Sequence, residues 1–186
     1  MSKKIVLLLT SFVLLWSISI NQSLWLDEAI SANIASRYSY SQIVNNFSLH
    51  DFHPPGHYFL LKFWTSSFGN SVLALRTLSL LFALISIYFI YLIGGLWPAI
   101  FLALNPLFLY YAQENRMYAM VSAFLLITFY FLQKIKSATK PKFKQIFLFN
   151  LFIFLSFLTF YGSIFFILTL FIYSFFYSKN KTFLSW

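Results

Sequence analysis

Cysteine is absent from this sequence, and charged residues are scarce. Without cysteine, disulfide bonds and thiolate metal sites are excluded. Charged residues make up 9% of the 186 residues, whereas about 25% is usual in soluble domains. Hydrophobic residues make up 60%, which leaves too little polar surface to coat a soluble globule of this size. The composition therefore predicts an integral membrane protein.

Long apolar runs recur along the chain, and a helix needs about 20 apolar residues to cross the hydrocarbon core. The runs that predict spans are Ile5–Ile20, Val72–Ile93, Leu96–Tyr111, Met117–Leu132, Ile146–Phe160 and Ser163–Tyr177. Gly94-Gly95 and the turn Tyr161–Ser163 separate neighbouring spans, and Pro98 and Pro106 are expected to kink the third. The first run is interpreted as an uncleaved helix, because no small-residue cleavage site follows it. We predict an all-α integral membrane fold with about six transmembrane helices, forming a single transmembrane domain over residues 1–186.

A long polar segment, residues 21–71, follows the first span and is predicted to be an outer loop. The spacing of Ile30, Ile34 and Tyr38 predicts a short interfacial helix over Asp27–Tyr38. A second short helix is expected to start near Ser41, and the prolines of His53–Gly56 are expected to break regular structure.

The distribution of charge predicts the orientation of the chain. Nine of the 13 basic residues are lysines on the side of the N-terminus, including those of the Lys-rich loop 133–145 and of the tail. The positive-inside rule places this side, with both termini, in the cytoplasm. All four acidic residues then fall on the extracytoplasmic side. The net charge of +9 is thus explained by topology, and we expect no nucleic-acid partner.

Two acidic residues, Asp27 and Glu28, stand where the first span leaves the membrane. In one interpretation they are the acidic first turn of a helix, stabilised by its dipole. In the other, a carboxylate acts as general base on an acceptor hydroxyl or amine. The sequence around the two residues leaves both open.

Histidines and prolines are concentrated in residues 50–57, which read HDFHPPGH. The histidines and the aspartate could supply metal ligands, but their spacing matches no standard zinc pattern. A proline-fixed loop that lines a pocket is the favoured interpretation.

Charged residues also stand beside the apolar spans. Glu114 and Arg116 lie in the turn between the third and fourth spans, where a charged pair is costly unless it is used or well paired. Arg76, near the outer end of the second span, either snorkels to the interface or binds a phosphate.

The chain resembles the N-terminal portion of the GT-C membrane glycosyltransferases, of the type that includes dolichyl-phosphate-mannose protein mannosyltransferases and aminoarabinose transferases. The stretches that carry the resemblance, in order, are LWLDEAISA (24–32), DFHPPGHYFLLKFW (51–64), VLALRTLSLLFAL (72–84) and NPLFLYYAQENRMYAM (105–120). Family enzymes contain further spans, so this chain is expected to be a portion of such an enzyme.

The resemblance implies transfer of a sugar from a polyprenyl-phosphate-linked donor to a protein, lipid or glycan acceptor at the extracytoplasmic face. It implies catalytic roles for Asp27, Glu28 and Glu114, and a divalent metal, a cofactor of some members, between Asp27 and Glu114. The substrate-binding residues that it implies are His53, Lys62, Arg76, Arg116 and Tyr118.

The chain departs from the family pattern at two places. Gly56-His57 replaces a frequent Leu-Tyr, and Thr159-Phe160-Tyr161 stands where a histidine is frequent. The alternative function is a non-catalytic membrane subunit or truncated remnant of such an enzyme, acting with a second membrane chain. A small transporter is less favoured, because the ionisable residues gather at one face rather than at mid-membrane.

Overall fold

Apolar runs of this length fold as helices, because a helix satisfies its own backbone hydrogen bonds without water. The computed structural model describes residues 3–19, 23–49 and 53–177, and these residues contain helices and no strands. The helices are α1 (Lys3–Ser19), α2 (Leu26–Arg37), α3 (Tyr40–Gln42), α4 (Gly56–Phe68), α5 (Val72–Gly94), α6 (Leu96–Ala103), α7 (Pro106–Gln113), α8 (Tyr118–Ser137), α9 (Phe143–Thr159) and α10 (Ser163–Tyr177). A π-helical segment, Ile43–Ser48, continues α3. The predicted all-α class is confirmed.

Two of the described helices, α5 and α8, are long and apolar enough to cross a membrane. Helix α9 and residues 163–174 of α10 are apolar but shorter. This agrees with a membrane protein at the level of length and composition. The tail lysines Lys179 and Lys181 and the pair His50-Asp51 lie outside the described residues.

The third predicted span is divided into α6 and α7. Asn105 begins α7 by accepting a hydrogen bond from the backbone N–H of Phe108 (2.9 Å), and Pro106 occupies the first helical position. A proline is tolerated there because that N–H has no partner within the helix. Pro98 lies in the first turn of α6 for the same reason, so the expected kink at Pro98 was wrong and Pro106 marks a complete break.

Helix α4 is an element that the sequence pattern did not indicate. It begins at Gly56, directly after Pro54 and Pro55, and buries Tyr58 and Leu61. The prolines therefore introduce a helix rather than an extended loop. Helix α4 packs against α2, α5 and α9.

Helix α5 is the centre of the fold and contacts α1, α4, α6, α7 and α8. One of its ends holds Arg76, close to the acidic residues of α2. Near the other end, Lys4 lies 5.1 Å from the centre of the Tyr88 ring, and Tyr130, beside Lys134, contacts Phe89. The 12 residues from Arg76 to Tyr88 span about 18 Å along the helix axis. We call these regions the acidic end and the basic end.

Gly56 is expected to be required for the contact between α4 and α9. A Cβ at this position would lie 2.6 Å from the backbone oxygen of Leu158. Because that oxygen belongs to the backbone, no change of side-chain rotamer can relieve the contact. We expect Gly56→Ala to lower the free energy of unfolding by about 1–3 kcal/mol, as overpacking does, despite the better helix propensity of alanine. Thermal unfolding in detergent measures the change, with Ser66→Ala on the exposed face of α4 as the control. A Gly56→Ala variant as stable as the control would contradict this packing.

Candidate functional site

Asp27 and Glu28 are consecutive residues in the first turn of α2, and the helix sends them in different directions. Successive residues of an α-helix point about 100° apart. Glu28 points into the protein and is fully buried, whereas the side chain of Asp27 is 67% exposed. The two carboxylates that the sequence places side by side therefore occupy different environments.

Glu28 forms a buried ion pair with Arg76 of α5. Arg76 Nε donates to Glu28 Oε1 (3.1 Å) and Arg76 Nη2 donates to Oε2 (2.8 Å). The backbone N–H groups of Asn115 and Trp25 donate to the same carboxylate at 2.7 and 3.0 Å. Burial alone would raise the pKa of Glu28, but these hydrogen bonds and the Arg76 charge outweigh burial and lower the pKa.

Arg76 is as enclosed as its partner, with 1% of its surface exposed. Besides Glu28 it donates to the backbone oxygens of Ser19 at 3.1 Å and Ser23 at 3.0 Å. The guanidinium thus connects the end of α1, the segment before α2, and α5. This position favours a structural role over the contact with a substrate phosphate that the resemblance implies.

The turn between α7 and α8 brings Arg116 to α2. Arg116 Nη1 donates to Ser31 Oγ (3.1 Å) and to the backbone oxygen of Asp27 (3.4 Å). Its Nη2 lies 3.9 Å from Asp27 Oδ2, a loose ion pair at the surface. Arg116 therefore forms its ion pair with Asp27, whereas the sequence had suggested a pair of Arg116 with Glu114.

A cavity of about 200 Å³ lies at this acidic end. Its walls contain all three carboxylates named above together with aromatic and basic groups: Trp25, Leu26, Asp27, Glu28, Tyr110, Glu114 and Arg116. Burial raises the pKa of Glu114, the charges of Glu28 and Asp27 raise it further, and the hydrogen bond with Tyr110 opposes them. The carboxyl group of Glu114 is therefore easier to protonate than that of an ordinary glutamate.

An apolar groove of about 360 Å³ begins on the other side of the same turn. Tyr118 lines it together with Tyr111, and the two rings are 4.5 Å apart. The remaining lining residues come from α6, α7 and the start of α8 and are mostly apolar. The charged cavity and the apolar groove have no lining residue in common, but α7 contributes to both, with Tyr110 in the cavity and Tyr111 and Ala112 in the groove.

The remaining predicted residues lie farther from Asp27. Lys62 Nζ donates to the backbone oxygen of Ala35 (3.2 Å), eight residues or about 12 Å along α2 from Asp27. His53 stacks on Phe160 with ring centres 6.4 Å apart. Neither lines the 200 Å³ cavity, so the structure does not join them to the carboxylates.

The carboxylates can be tested as a metal site. Within residues 3–19, 23–49 and 53–177, no three His, Asp or Glu side chains form a group that could hold a metal ion by themselves. Asp27 and Glu114 nevertheless line one cavity, and the pKa of Glu114 is raised first by burial and then by the negative charges of Glu28 and Asp27. A Mg²⁺ ion is typically bound by one or two carboxylates plus substrate phosphates. The pair therefore fits a metal that arrives with a phosphate substrate.

Three residues contribute to the site without having been assigned a role from the sequence. They are Ser31, which binds Arg116, Asn115, whose N–H binds Glu28, and Tyr110, which binds Glu114. Ser31 lies one turn after Asp27 and Glu28 on the same helix, a spacing that could have indicated it.

Searches against protein-family models, curated proteins and solved structures find no match to this chain.

The ion pair is expected to dominate the stability of the acidic end. Glu28→Gln would leave the buried charge of Arg76 without its counterion, at a cost of about 3–5 kcal/mol. Arg76→Met should be similarly destabilising, whereas the double variant removes both charges and should be more stable than the sum of the two losses implies. Thermal unfolding of the four proteins gives the coupling.

The matched control for this cycle is Asp27→Asn, one residue away on the exposed side. Its stability should stay within about 0.5 kcal/mol of the unmodified protein. Additive losses for Glu28→Gln and Arg76→Met would show that the two side chains are not coupled.

Proposed function

We propose that this protein is a glycosyltransferase that moves a sugar from a polyprenyl-phosphate-linked donor to an acceptor at the acidic end of the helical bundle. The observation that carries the proposal is that α7 supplies residues both to a cavity with three carboxylates and an arginine and to an apolar groove. A donor of this class has the same two parts, a charged sugar phosphate and a long apolar chain. The sequence resemblance to the GT-C transferases supports the same reaction.

Asp27 is the best candidate for the general base. It is the most exposed carboxylate of the α2 pair and lies at the cavity. In the proposed step, the acceptor oxygen or nitrogen attacks the anomeric carbon while its proton passes to the Asp27 carboxylate. The bond from the anomeric carbon to the phosphate oxygen breaks, and the polyprenyl phosphate leaves with the electron pair.

Arg116 is the candidate for stabilising the leaving phosphate. Its Nη1 is fixed by Ser31 and by the backbone of Asp27, while its ion pair with the Asp27 carboxylate is long, at 3.9 Å. A guanidinium held on one side can offer its remaining donors to phosphate oxygens. Where a divalent metal takes part, Asp27 and Glu114 would hold it, and the ion would neutralise charge on the phosphate.

Glu28 and Arg76 take a different role from the one the resemblance implies. Because they are buried and bound to each other, we assign them to positioning: they fix the start of α2 and the turn that carries Asn115 and Arg116. Tyr118 belongs to the apolar groove and is assigned to the lipid chain of the donor.

The proposed reaction requires a membrane, and we propose a multi-pass arrangement of about six spans. Two features support it: the apolar character of α5, α8, α9 and α10, and the separation of an acidic end from a basic end along α5. The positive-inside rule then places the basic end and both termini in the cytoplasm and the cavity outside.

Loss of the general base is the first test. We expect Asp27→Asn to lower the transfer rate by about 10²–10⁴-fold, the contribution typical of general base catalysis, with normal folding and insertion. The measurement is transfer of radiolabelled sugar from the native lipid-linked donor pool in membranes. The matched control is Asp51→Asn, which changes the other aspartate of the chain and should retain activity.

Unchanged transfer by Asp27→Asn would contradict its assignment as base. Absence of transfer by the unmodified protein, in membranes that contain lipid-linked sugars, would instead favour a non-catalytic membrane subunit acting with a second membrane chain.

The absence of cysteine makes the topology directly testable. We expect a membrane-impermeant maleimide to label Ser66→Cys in intact cells and to label Lys140→Cys only after permeabilisation, because the two exposed positions lie on opposite sides in the proposed arrangement. The cysteine-free protein is the control. Labelling of both variants from the same side would rule this topology out.

A further inference from the structure

Four buried polar side chains beside the cavity have atoms without a hydrogen-bond partner among the described residues. The atoms are His57 Nε2, Gln113 Oε1, Arg116 Nε and both amide atoms of Asn115. Asn115 is fully buried, and the other three residues have no more than 8% of their surface exposed. Leaving a buried polar group unpaired is destabilising, so the presence of four such side chains at one place suggests that they bind a ligand.

The four residues come from two segments that face each other. Gln113 is the last residue of α7, Asn115 and Arg116 lie in the turn between α7 and α8, and His57 is in the first turn of α4. Burial is the main cause of the lowered pKa of His57, and the nearby charge of Arg116 lowers that pKa further. One turn after His57, Leu60 packs against the cluster that Met120, Phe124 and Ile127 of α8 form, so this face of α4 looks towards α8.

We propose that His57, Gln113, Asn115 and Arg116 form a hydrogen-bonding subsite for the hydroxyl groups of a sugar, adjoining the 200 Å³ cavity at Arg116. This inference rests on the proposed glycosyl transfer, for which it names the residues that recognise the sugar. The sugar belongs either to the lipid-linked donor or to a glycan acceptor, and both present the same hydroxyl groups.

The chemistry of the free atoms favours hydroxyl groups over phosphate. Asn115 offers an NH₂ donor group and an acceptor oxygen, Gln113 offers an acceptor, and Arg116 Nε offers a donor. A hydroxyl group donates and accepts and can satisfy both kinds, whereas phosphate oxygens only accept and would leave the amide oxygens unpaired. Burial first, then the charges of Arg116 and His53, lower the pKa of His57 to about 3. His57 is therefore an uncharged imidazole near neutral pH, suited to a neutral ligand.

The stability of an Asn115 variant distinguishes a ligand-binding role of this residue from a structural one. Asn115→Leu keeps the side-chain size, and its backbone N–H can still donate to Glu28. Because the amide has no partner among the residues that the structure describes, its replacement should leave the sugar-free protein equally stable or more stable. An amide that held the fold together would give a lower melting temperature.

The experiment is thermal unfolding of the purified protein in detergent, with and without a panel of free hexoses, pentoses and amino sugars. We expect at least one sugar to stabilise the unmodified protein. Asn115→Leu and His57→Phe should weaken the binding of that sugar about tenfold or more, the effect of about one lost hydrogen bond.

The control variant is Ser86→Ala. Ser86 is a buried serine in α5 whose hydroxyl binds its own helix, and the variant should bind the sugar as the unmodified protein does. Polyprenyl phosphate without a sugar should stabilise all of these proteins equally.

Any of three results would overturn the subsite. The first is that no sugar stabilises the unmodified protein, and the second is that a sugar stabilises the unmodified protein and both variants equally. The third is a lower melting temperature of sugar-free Asn115→Leu. Sugar binding without any transfer would reject the proposed reaction and keep the subsite, because Asp27→Asn and Asn115→Leu report on the two separately. In an active protein, a higher KM for the donor in Asn115→Leu identifies the donor sugar as the ligand, and a higher KM for the acceptor identifies the glycan acceptor.

Discussion

The ion pair between Glu28 and Arg76 is the interaction on which the acidic end of this protein depends. Removing two charges from water costs several kcal/mol per ion, which is recovered only with good geometry and additional hydrogen bonds. Here the guanidinium contacts both carboxylate oxygens, and the backbone N–H groups of Trp25 and Asn115 donate further hydrogen bonds to the same carboxylate. The segments that supply these groups are far apart in sequence. Their positions are therefore fixed together, and the cavity is formed by the same segments.

The ion pair between Glu28 and Arg76 also determines which carboxylate of α2 is exposed and available for a reaction. With Glu28 held towards Arg76, the geometry of α2 turns Asp27 to the surface, where its side chain is 67% exposed. Ser31, one turn further along α2, then lies within hydrogen-bond distance of Arg116. A buried structural contact thus sets the orientation of the exposed groups, which explains how adjacent acids of the same type can differ in role.

The sequence predicted much of the fold because the apolar runs are long and their ends carry strong signals. Gly95, with a φ of 84°, separates α5 from α6, and α10 occupies the predicted range Ser163–Tyr177. Helix α4 was missed because its apolar residues follow two prolines within a segment that reads as a loop. The sequence also singled out Asp27, Glu28, Arg76 and Arg116, but not their pairing. A pairing across 48 residues depends on tertiary packing, which periodicity does not contain.

Two clusters of buried polar residues at the same end of the bundle differ in how completely their hydrogen bonds are formed. This difference distinguishes a structural role from a ligand-binding role. Around Glu28 and Arg76, donors and acceptors are matched, and the pKa of Glu28 is lowered as expected for a carboxylate stabilised by its partners. Around His57 and Asn115, buried donors and acceptors lack partners among the described residues. A protein stabilises itself by completing its buried hydrogen bonds, so a complete cluster needs no ligand. An incomplete cluster sacrifices stability, and binding of a polar molecule that supplies the missing partners would recover it.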